Sequence, residues 1–268
     1  MSNIAPVLRW AGGKTWFISH FKSIIKDVEI NHYHEPFLGG AAIFFSLKTN
    51  KMSYLSDENE KLITTYKAIK NSPQEVVRIL HSYENSEDRY YEIRDMTPND
   101  DIELAAQFIY LNQTSYNGLY RVNRQGYYNV PYGFRSSVTF DTKRILSVSE
   151  KLRKTNLSYG DFVVNKYKIQ KGDLVFLDPP YTVSHNNNGF IEYNQKLFSL
   201  DDQYRLSDFI DYIKRKNAYY ILTNAAHDKI KDIFDKGDRI LKFSRQSLIG
   251  GKSAERKKVA EYIFTNIE

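Results

Sequence analysis

Short apolar runs rich in β-branched and aromatic residues recur along the chain, and these runs predict strands. Stretches typical of helices separate them, and some of these open with Ser, Thr or Asp, the residues that cap helices. The predicted strands are 32–37, 52–56, 157–160, 174–177, 219–222, 240–243 and 260–264. The predicted helices are 14–25, 41–48, 60–70, 73–81, 102–112, 142–154, 201–215 and 228–234.

This alternation predicts an α/β fold in which a mostly parallel sheet has covered faces. One connection is unusual. Between the strand ending near 56 and the strand starting near 157 lie about a hundred residues of helix and polar loop, far more than an ordinary crossover. We therefore expect a core domain formed by 1–58 and 155–268, with an inserted subdomain at 59–154.

Composition narrows the class of protein. The 268 residues are 41% hydrophobic, which allows one sizeable core. No apolar run approaches the roughly 20 residues that span a bilayer, and the first residues lack the apolar centre of a secretory signal. We expect a soluble, cytoplasmic protein without a membrane partner. The chain has no cysteine, which excludes disulfides, thiolate zinc sites and a cysteine nucleophile.

The charge indicates an acidic partner. The formal net charge is +6 and the pI is about 9.1. Residues 113–135 contain no acid, and here Arg121, Arg124 and Arg135 are interleaved with several tyrosines and Phe134. Cations between aromatic rings suit a polyanion that carries bases. A tyrosine-rich loop over a core is the alternative explanation of this segment.

The strongest local signal is an apolar strand that stops at an acid and two prolines, followed by a tyrosine. The carboxyl end of a strand is where open α/β sheets bind ligands. The prolines make the turn stiff and leave carbonyls without amide donors of their own. Asp178 and the carbonyl of Pro179 could each accept one N–H of an exocyclic NH₂, and Tyr181 could stack on its ring. A plain strand-ending turn with a capping Asp is the alternative.

Five short motifs follow one another along the chain: Arg-Trp-Ala-Gly-Gly-Lys at 9–14, Glu-Pro-Phe-Leu-Gly-Gly at 35–40, Asp-Glu-Asn at 57–59, Asn-Val-Pro-Tyr-Gly at 129–133 and Asp-Pro-Pro-Tyr at 178–181. Their types and order resemble those of the Dam-type DNA adenine-N6 methyltransferases, over nearly the whole chain. The resemblance implies a Rossmann-like S-adenosylmethionine-dependent methyltransferase sheet. It also implies that 1–58 and 155–268 are the catalytic domain and that 59–154 is a mainly helical target-recognition subdomain.

The resemblance implies transfer of a methyl group from S-adenosylmethionine to the N6 amine of adenine in duplex DNA. The expected mechanism is direct in-line transfer to a flipped base, with no covalent enzyme intermediate and no metal. We expect the chain to act as a monomer. The predicted catalytic residues are Asp178, Pro179, Pro180 and Tyr181.

Two glycine-containing turns are expected to hold the cofactor. Glycines at 12–13 permit close backbone approach, and 35–42 predict a strand that runs through a small-residue turn into a helix. The Gly-x-Gly-x-x-Gly spacing is absent, which favours S-adenosylmethionine over NAD. The predicted cofactor-binding residues are Trp10, Gly12, Gly13, Lys14, Glu35, Pro36, Phe37, Gly39, Asp57, Asp161, Phe162 and Asp178.

Asp57 follows a predicted strand about twenty residues beyond the second glycine turn, where a carboxylate can bind ribose hydroxyls. A helix N-cap is the alternative role for Asp57. The first glycine turn also has an alternative explanation, in which Trp10 is buried in the core and the glycines form an ordinary bend that binds no cofactor. The resemblance assigns Trp10, Lys14 and Asp57 to the cofactor, and places Asp161 and Phe162 beside its adenine.

DNA recognition is expected in the insertion. Arg121 is the candidate for bidentate pairing with a guanine edge, a contact worth about 1–3 kcal/mol of discrimination. Tyr116 is the candidate wedge at the place that the target base leaves. GATC is the commonest site for this pattern, although similar relatives read other sites, and the family usually has Lys where this chain has Arg9. The predicted DNA contacts are Arg9, Tyr116, Asn117, Leu119, Arg121, Asn129, Pro131 and Arg135.

Two other functions fit parts of this pattern. The first is a methyltransferase with the same core that acts on RNA or on a protein amide. The second is a DNA-binding relative without turnover. The Tyr-Asn-Gly and Asn-Val-Pro segments favour DNA, while Asp178, Lys14 and Asp57 favour an active enzyme of a restriction-modification or DNA-marking system.

Overall fold

The computed structural model describes residues 4–123, 125–134, 138–181, 198–246 and 258–268, without the side chains of 245, 246, 258 and 259. Its strands are β1 Tyr33–Glu35, β2 Ser53–Asp57, β3 Thr155–Tyr159, β4 Leu174–Leu177, β5 Tyr219–Ala225, β6 Arg239–Gln246 and β7 Lys258–Thr265. Its α-helices are α1 Ile18–Ile24, α2 Ala42–Ser46, α3 Glu60–Asn71, α4 Pro73–Ser82, α5 Glu87–Asp95, α6 Asp101–Thr114, α7 Thr142–Leu152, α8 Leu200–Arg215 and α9 Asp228–Phe234. Single 3₁₀ turns occur at Thr15–Phe17, Tyr116–Gly118 and Lys166–Lys168.

Every predicted strand and helix is present, with two corrections. The helix predicted for 14–25 starts as a 3₁₀ turn at Thr15–Phe17 and becomes α-helical only at Ile18. Helix α5 was not predicted, because its sequence is mostly charged or tyrosine and only Tyr90 and Ile93 are buried. The side chain of Ser86 caps α5 by accepting the N–H of Arg89.

The strand order is β3-β2-β1-β4-β5-β7-β6. Parallel pairs join β2 to β3, β1 to β4 and β4 to β5, whereas β7 is antiparallel to both β5 and β6. The order reverses between β1 and β4, which is the kind of switch point where open α/β sheets bind ligands. This topology confirms the predicted α/β, Rossmann-like fold class.

The described chain divides into two compact units. Unit 1 comprises Met1–Ser23 and Leu38–Val164. In it, α3 packs against α6 and α7, and α4 packs against α6. Buried apolar side chains on these helices, such as Leu62, Tyr66 and Ile109, form its core.

Unit 2 comprises Ile24–Phe37 and Asn165–Glu268. It contains the strands β1, β4, β5, β7 and β6, and α8 packs against both β5 and α9. All four residues of β4 are buried, as expected of a central parallel strand. Within the described ranges, every helix is too short or too polar to cross a membrane.

Candidate active site

The acceptor turn, residues 178–181, follows β4 in unit 2. After the buried strand the chain passes through Asp178, Pro179, Pro180 and Tyr181. Neither proline has a backbone N–H, so the turn presents carbonyl acceptors. Oδ1 of Asp178 accepts a 2.6 Å hydrogen bond from Oγ1 of Thr223, a buried residue of β5. This bond fixes the carboxylate at the carboxyl end of the strand.

A buried pair on β1 lies near the same carboxylate. The hydroxyl of Tyr33 donates a 2.7 Å hydrogen bond to Oε2 of Glu35. Burial raises the pKa of Tyr33 well above its usual value, and the negative charges of Glu35 and Asp178 raise it further. Tyr33 is therefore a neutral donor that orients Glu35, and the structure brings two predicted site carboxylates, Glu35 and Asp178, to one end of the unit 2 strands.

The remaining predicted residues of this segment are Pro36 and Phe37. Pro36 is buried, and Phe37 is partly exposed. The ring of Phe37 packs edge-on against Phe198, with 5.7 Å between the ring centroids. Phe198 comes just before Ser199, the N-cap of α8, so this contact ties the end of the β1 segment to the start of that helix.

Tyr181 is anchored by a second strand of unit 2. Its hydroxyl donates a 2.5 Å hydrogen bond to Oε2 of Glu261. Glu261 is fully buried on β7, opposite Ala225 of β5. A buried carboxylate is costly to desolvate unless it accepts hydrogen bonds, so this contact matters for both partners. It orients the ring that we expect to stack on a base.

Thr223 and Glu261 were not identified from the sequence. The predicted strand ended at 222, whereas β5 continues through Thr223 and Asn224 to Ala225. Two polar residues at the carboxyl end of a buried strand are a signal that could have identified this site. For Glu261 the signal was a single acid in an otherwise apolar strand, because acids are rarely buried without a partner.

In unit 1, Asp57 at the end of β2 is hydrogen-bonded to the glycine turn at Gly39. Its Oδ2 accepts the N–H of Gly39 and its Oδ1 accepts the N–H of Asn59, each at 2.9 Å. Burial raises the pKa of Asp57, although these backbone hydrogen bonds oppose the shift. The N-cap of α3 is Asn59, whose side chain accepts the N–H of Leu62. The alternative role of Asp57 as that cap is therefore wrong.

The glycine turn packs against Trp10. Gly39 has a φ of +46°, and a Cβ there would lie 2.7 Å from Cδ1 of Trp10. Only glycine fits this position without a shift of the ring. Gly12 has a φ of +77°, and among the described residues no atom beyond its two chain neighbours lies within 4 Å of the place where its Cβ would stand. An open glycine backbone beside a flat indole fits a nucleoside-containing ligand.

Lys14 is buried, with 4% of its surface exposed. Its Nζ donates a 3.0 Å hydrogen bond to the carbonyl of Gly12, and the N–H of Gly13 donates to the carbonyl of Trp10 at 3.2 Å. The ammonium group of Lys14 is thus held against the first glycine turn, at Gly12 and Gly13. The predicted residues of 10–14 form one local cluster, in which Trp10 contacts the second turn at Gly39.

Asp161 and Phe162 follow β3 in unit 1. The N–H of Gly160 donates to the backbone carbonyl of Asp57 at 3.1 Å, so the ends of β2 and β3 are adjacent. Oδ1 of Asp161 accepts the N–H of Val163, and Phe162 is buried. The segment that carries Asp161 and Phe162 therefore starts next to the end of β2, where Asp57 lies.

The recognition segment, residues 115–134, leaves α6 and folds back on itself. Ser115 bridges to Tyr132 and Val122 bridges to Tyr128. Tyr116, 52% exposed, and Leu119, 41% exposed, present large apolar surfaces, and Asn117 is an exposed residue with a φ of +55°. Exposed apolar side chains on a loop are available to a partner.

Arg121 forms its hydrogen bonds within the recognition segment, with Asn129. Its Nε donates to Oδ1 of Asn129 at 2.8 Å, and its guanidinium donates to the carbonyl of Asn129 at 2.9 Å. Two predicted DNA contacts are thus brought together as one surface pair. Pro131 and Arg9 are also exposed in unit 1, while the predicted contact Arg135 lies outside the described residues, as does Arg124.

The sequence matches one protein family over most of its length. A family model described as D12 class N6 adenine-specific DNA methyltransferase matches residues 10–249. The chain is 33% identical over 275 residues to Type II methyltransferase M1.LlaDCHI of Lactococcus lactis subsp. cremoris, covering 98% of this chain and 96% of that protein. It is 33% identical over 276 residues to Type II methyltransferase M.MjaIII of Methanocaldococcus jannaschii, covering 95% and 96% of the two chains.

A third relative is the DNA adenine methylase of Vibrio cholerae, 26% identical over 268 residues, with 96% of this chain and 94% of that protein covered. Among solved structures, precorrin-6y C5,15-methyltransferase of Geobacter metallireducens shares 10% identity at a TM-score of 0.42, covering 97% of each chain, which is a weak structural likeness. The family match and the two 33% identical relatives each span most of the chain. The protein is therefore a site-specific adenine DNA methyltransferase with an S-adenosylmethionine-type methyl donor, and its chain belongs to the D12 class N6 adenine-specific DNA methyltransferase family.

Proposed function

We propose that the chain methylates N6 of an adenine that has been flipped out of duplex DNA, and that the acceptor turn holds this amine. The observation that carries the proposal is the hydrogen bond from Thr223 to Asp178. It presents a carboxylate at the end of β4, directly before the carbonyl of Pro179. Two adjacent acceptors match the two N–H groups of an exocyclic amine.

Each residue of the turn then has one task. Asp178 and the carbonyl of Pro179 accept hydrogen bonds from the two amine N–H groups and so turn the nitrogen lone pair out of the ring plane. Tyr181, oriented by Glu261, stacks on the flipped ring. S-adenosylmethionine, when bound, supplies a methyl group on a good leaving centre. The chain contributes orientation, and well-positioned reactants can recover roughly 7–11 kcal/mol of a barrier.

The cofactor would be held by Trp10, Lys14 and the glycine turns, with Asp57 binding the ribose hydroxyls. The geometry of Asp57 supports this role. The carboxylate has about four acceptor sites. The backbone N–H groups of Gly39 and Asn59 occupy one site on each oxygen, and the backbone N–H of Glu58 is a third donor. The carboxylate is oriented by the chain and keeps an acceptor site for a hydroxyl donor. Glu35, Pro36, Phe37, Asp161 and Phe162 complete the proposed cofactor set.

Residues 59–154 are proposed as the target-recognition subdomain. Tyr116 would fill the gap left by the flipped adenine, because an aromatic plate offsets part of the few kcal/mol lost on unstacking. Arg121 would exchange its contacts with Asn129 for a guanine edge. Arg9, Asn117, Leu119, Pro131 and Arg135 are proposed as further DNA contacts.

GATC is the first site to test, because it is the commonest site for the motif pattern of 116–121 and 129–133. The two relatives named as type II methyltransferases support a restriction-modification role. We propose that the protein acts as a monomer.

The test uses purified full-length protein and cofactor labelled in the transferred methyl group. Transfer of label to plasmid DNA, but not to RNA or to a peptide, is expected. Sequencing that detects modified adenines, on DNA from cells expressing the protein, then gives the site. Label on RNA or protein, or unmodified adenines in that DNA, would contradict the proposal.

A further inference from the structure

We infer that Tyr120 is a positioning residue shared by the proposed cofactor pocket and the recognition segment. The inference rests on the proposed function and extends it. Tyr120 adjoins Arg121, the proposed base-reading residue, and yet its ring contacts Trp10 of the proposed cofactor pocket. Occupancy of the pocket would thereby act on how the segment binds DNA.

On the cofactor side, the ring of Tyr120 stacks on Trp10, with 5.4 Å between ring centroids and 19° between planes. Trp10 is also the side chain against which Gly39 packs. Burial raises the pKa of Tyr120, a hydrogen bond with the side chain of Asn59 opposes this rise, and the charge of Asp57 adds to it. Tyr120 thus stacks on Trp10 and lies close enough to Asp57 for the charge of that carboxylate to act on its hydroxyl.

On the recognition side, Tyr120 packs against Phe108 of α6 and against Tyr128, with centroid distances of 5.2 and 5.9 Å. The hydroxyl of Tyr128 donates a 2.6 Å hydrogen bond to the carbonyl of Leu119. Leu119, the residue before Tyr120, is therefore hydrogen-bonded to the part of the recognition segment that folds back. A displacement of the Tyr120 ring would move the backbone that carries Arg121.

A second contact ties the same two regions together. The buried side chain of Asn112 accepts the N–H of Arg9 and donates to its carbonyl, both at 2.8 Å. The same amide approaches the carbonyl of Gly118 at 3.4 Å. A Cβ at Gly118 would clash with Cδ of Arg9, so the turn before Tyr120 is packed directly on the residue that precedes Trp10.

This arrangement predicts reciprocal coupling. A ligand beside Trp10 and Asp57 that favours one position of Tyr120 favours the matching position of Arg121, and DNA must then favour the ligand by the same factor. Couplings of this kind typically lie between about 5-fold and 150-fold. We expect S-adenosylhomocysteine, a nonreactive cofactor analogue, to tighten binding of a duplex that contains the methylation site by about tenfold.

The test measures the Kd of a labelled duplex with and without saturating S-adenosylhomocysteine, by fluorescence anisotropy. Tyr120→Leu removes the stack, and Tyr120→Phe keeps the ring. The matched control is Tyr127→Leu, because Tyr127 is in the same segment and is 67% exposed. We expect the coupling factor to fall below about twofold in Tyr120→Leu and to stay near the wild-type factor in Tyr127→Leu and Tyr120→Phe.

Calorimetric titration measures the Kd of S-adenosylhomocysteine with and without DNA. By reciprocity, DNA must lower this Kd by the same factor by which the analogue lowers the Kd of DNA. Tyr120→Phe keeps the experiment decisive if Tyr120→Leu unfolds, because the ring alone should preserve the coupling. The inference is overturned if wild type shows no coupling, if Tyr120→Leu retains it, or if folded Tyr120→Phe loses it. Failure of the proposed function is distinguishable, since it would leave wild-type protein unable to transfer methyl label to DNA.

Discussion

The two ends of strand β4 each carry an acid, and the two acids have different surroundings. Asp173 precedes the strand and is fully buried. It accepts hydrogen bonds from the backbone N–H groups of His32 and Gln170, and Nε2 of His34 lies 2.9 Å from it. Asp178 follows the strand, is partly exposed, accepts the hydroxyl of Thr223 and leads into two prolines.

The difference shows how the fold assigns roles to identical side chains. Burial alone would raise the pKa of Asp173, but hydrogen bonds from His34 and from two backbone N–H groups outweigh it and hold the pKa below its usual value. Asp173 is thus a structural anion that joins β1 to β4. Asp178 lies at the strand end where α/β sheets bind ligands, and its role depends on accessibility.

The largest expected effect comes from Asp178→Ala. We expect kcat for DNA methylation to fall by roughly 10³-fold or more, because a preorganised contact to the reacting group is lost. The unfolding midpoint and the DNA Kd should change little. Single-turnover methylation and anisotropy measure these quantities, with exposed Asp27→Ala as the control. Substantial turnover in Asp178→Ala would remove the distinction between the two acids.

Asp173→Ala should show the reverse pattern. The change leaves two backbone N–H groups and the ring of His34 without their acceptor. Each buried donor left unsatisfied costs about 1–3 kcal/mol, so we expect a loss of roughly 3–5 kcal/mol in the free energy of unfolding. Activity per folded molecule should be unchanged at low temperature. Urea denaturation and active-site titration test this expectation. A stable variant with a low kcat would mean that Asp173 belongs to the chemistry.

Thr223→Val tests whether the orientation of Asp178 matters. A hydrogen bond to a charged group contributes about 1.5–3 kcal/mol, and if that energy orients the acid for transfer, kcat should fall roughly 10- to 100-fold. Thr223→Ser retains the hydroxyl and should restore most of the rate. Equal rates for the Ser and Val variants would show that the hydroxyl does not position Asp178.

Glu261 combines features of both acids, because it is fully buried like Asp173 and contacts the acceptor turn. Glu261→Gln keeps an acceptor but loses the charge, a difference of about 1 kcal/mol, so kcat/KM for DNA should fall roughly fivefold. Tyr181→Phe should cost a similar amount, and the double variant no more than either. Fully additive losses would mean that the two residues act separately.

The smallest expected effect is a pH dependence at the Asp173 end. Burial lowers the pKa of His34, and its contact with Asp173 only partly opposes this. The unfolded chain therefore binds a proton at His34 more readily, so stability should fall as pH drops below about 6.5, by at most about 1.4 kcal/mol per pH unit. Denaturation at pH 7.5 and 5.5 measures the change. His34→Gln should flatten it, and an unchanged slope would assign it to other groups.

The sequence predicted every strand, because buried β-strands carry apolar, β-branched runs that are readable locally. It also placed an acid at the end of β4, where the two prolines mark a turn. Helix α5 could not be predicted in this way, since its charged and tyrosine-rich surface lacks an apolar stripe and its stability depends on packing of Tyr90 and Ile93.

The supporting residues were harder to find, because they are defined by partners distant in sequence. Thr223 is 45 positions from Asp178, and Glu261 is 80 positions from Tyr181. The stack of Tyr120 on Trp10 is likewise a tertiary contact that no local pattern encodes. The motifs that carry the chemistry can therefore be identified from the sequence, whereas the contacts that orient them can be identified only from the folded structure.

The most direct test of the central claim is a crystal structure of the full chain with S-adenosylhomocysteine and a duplex containing its target adenine. The account predicts N6 of a flipped adenine within about 2.6–3.2 Å of both a carboxylate oxygen of Asp178 and the carbonyl of Pro179. An adenine bound elsewhere, or Asp178 directed away from the amine, would contradict it.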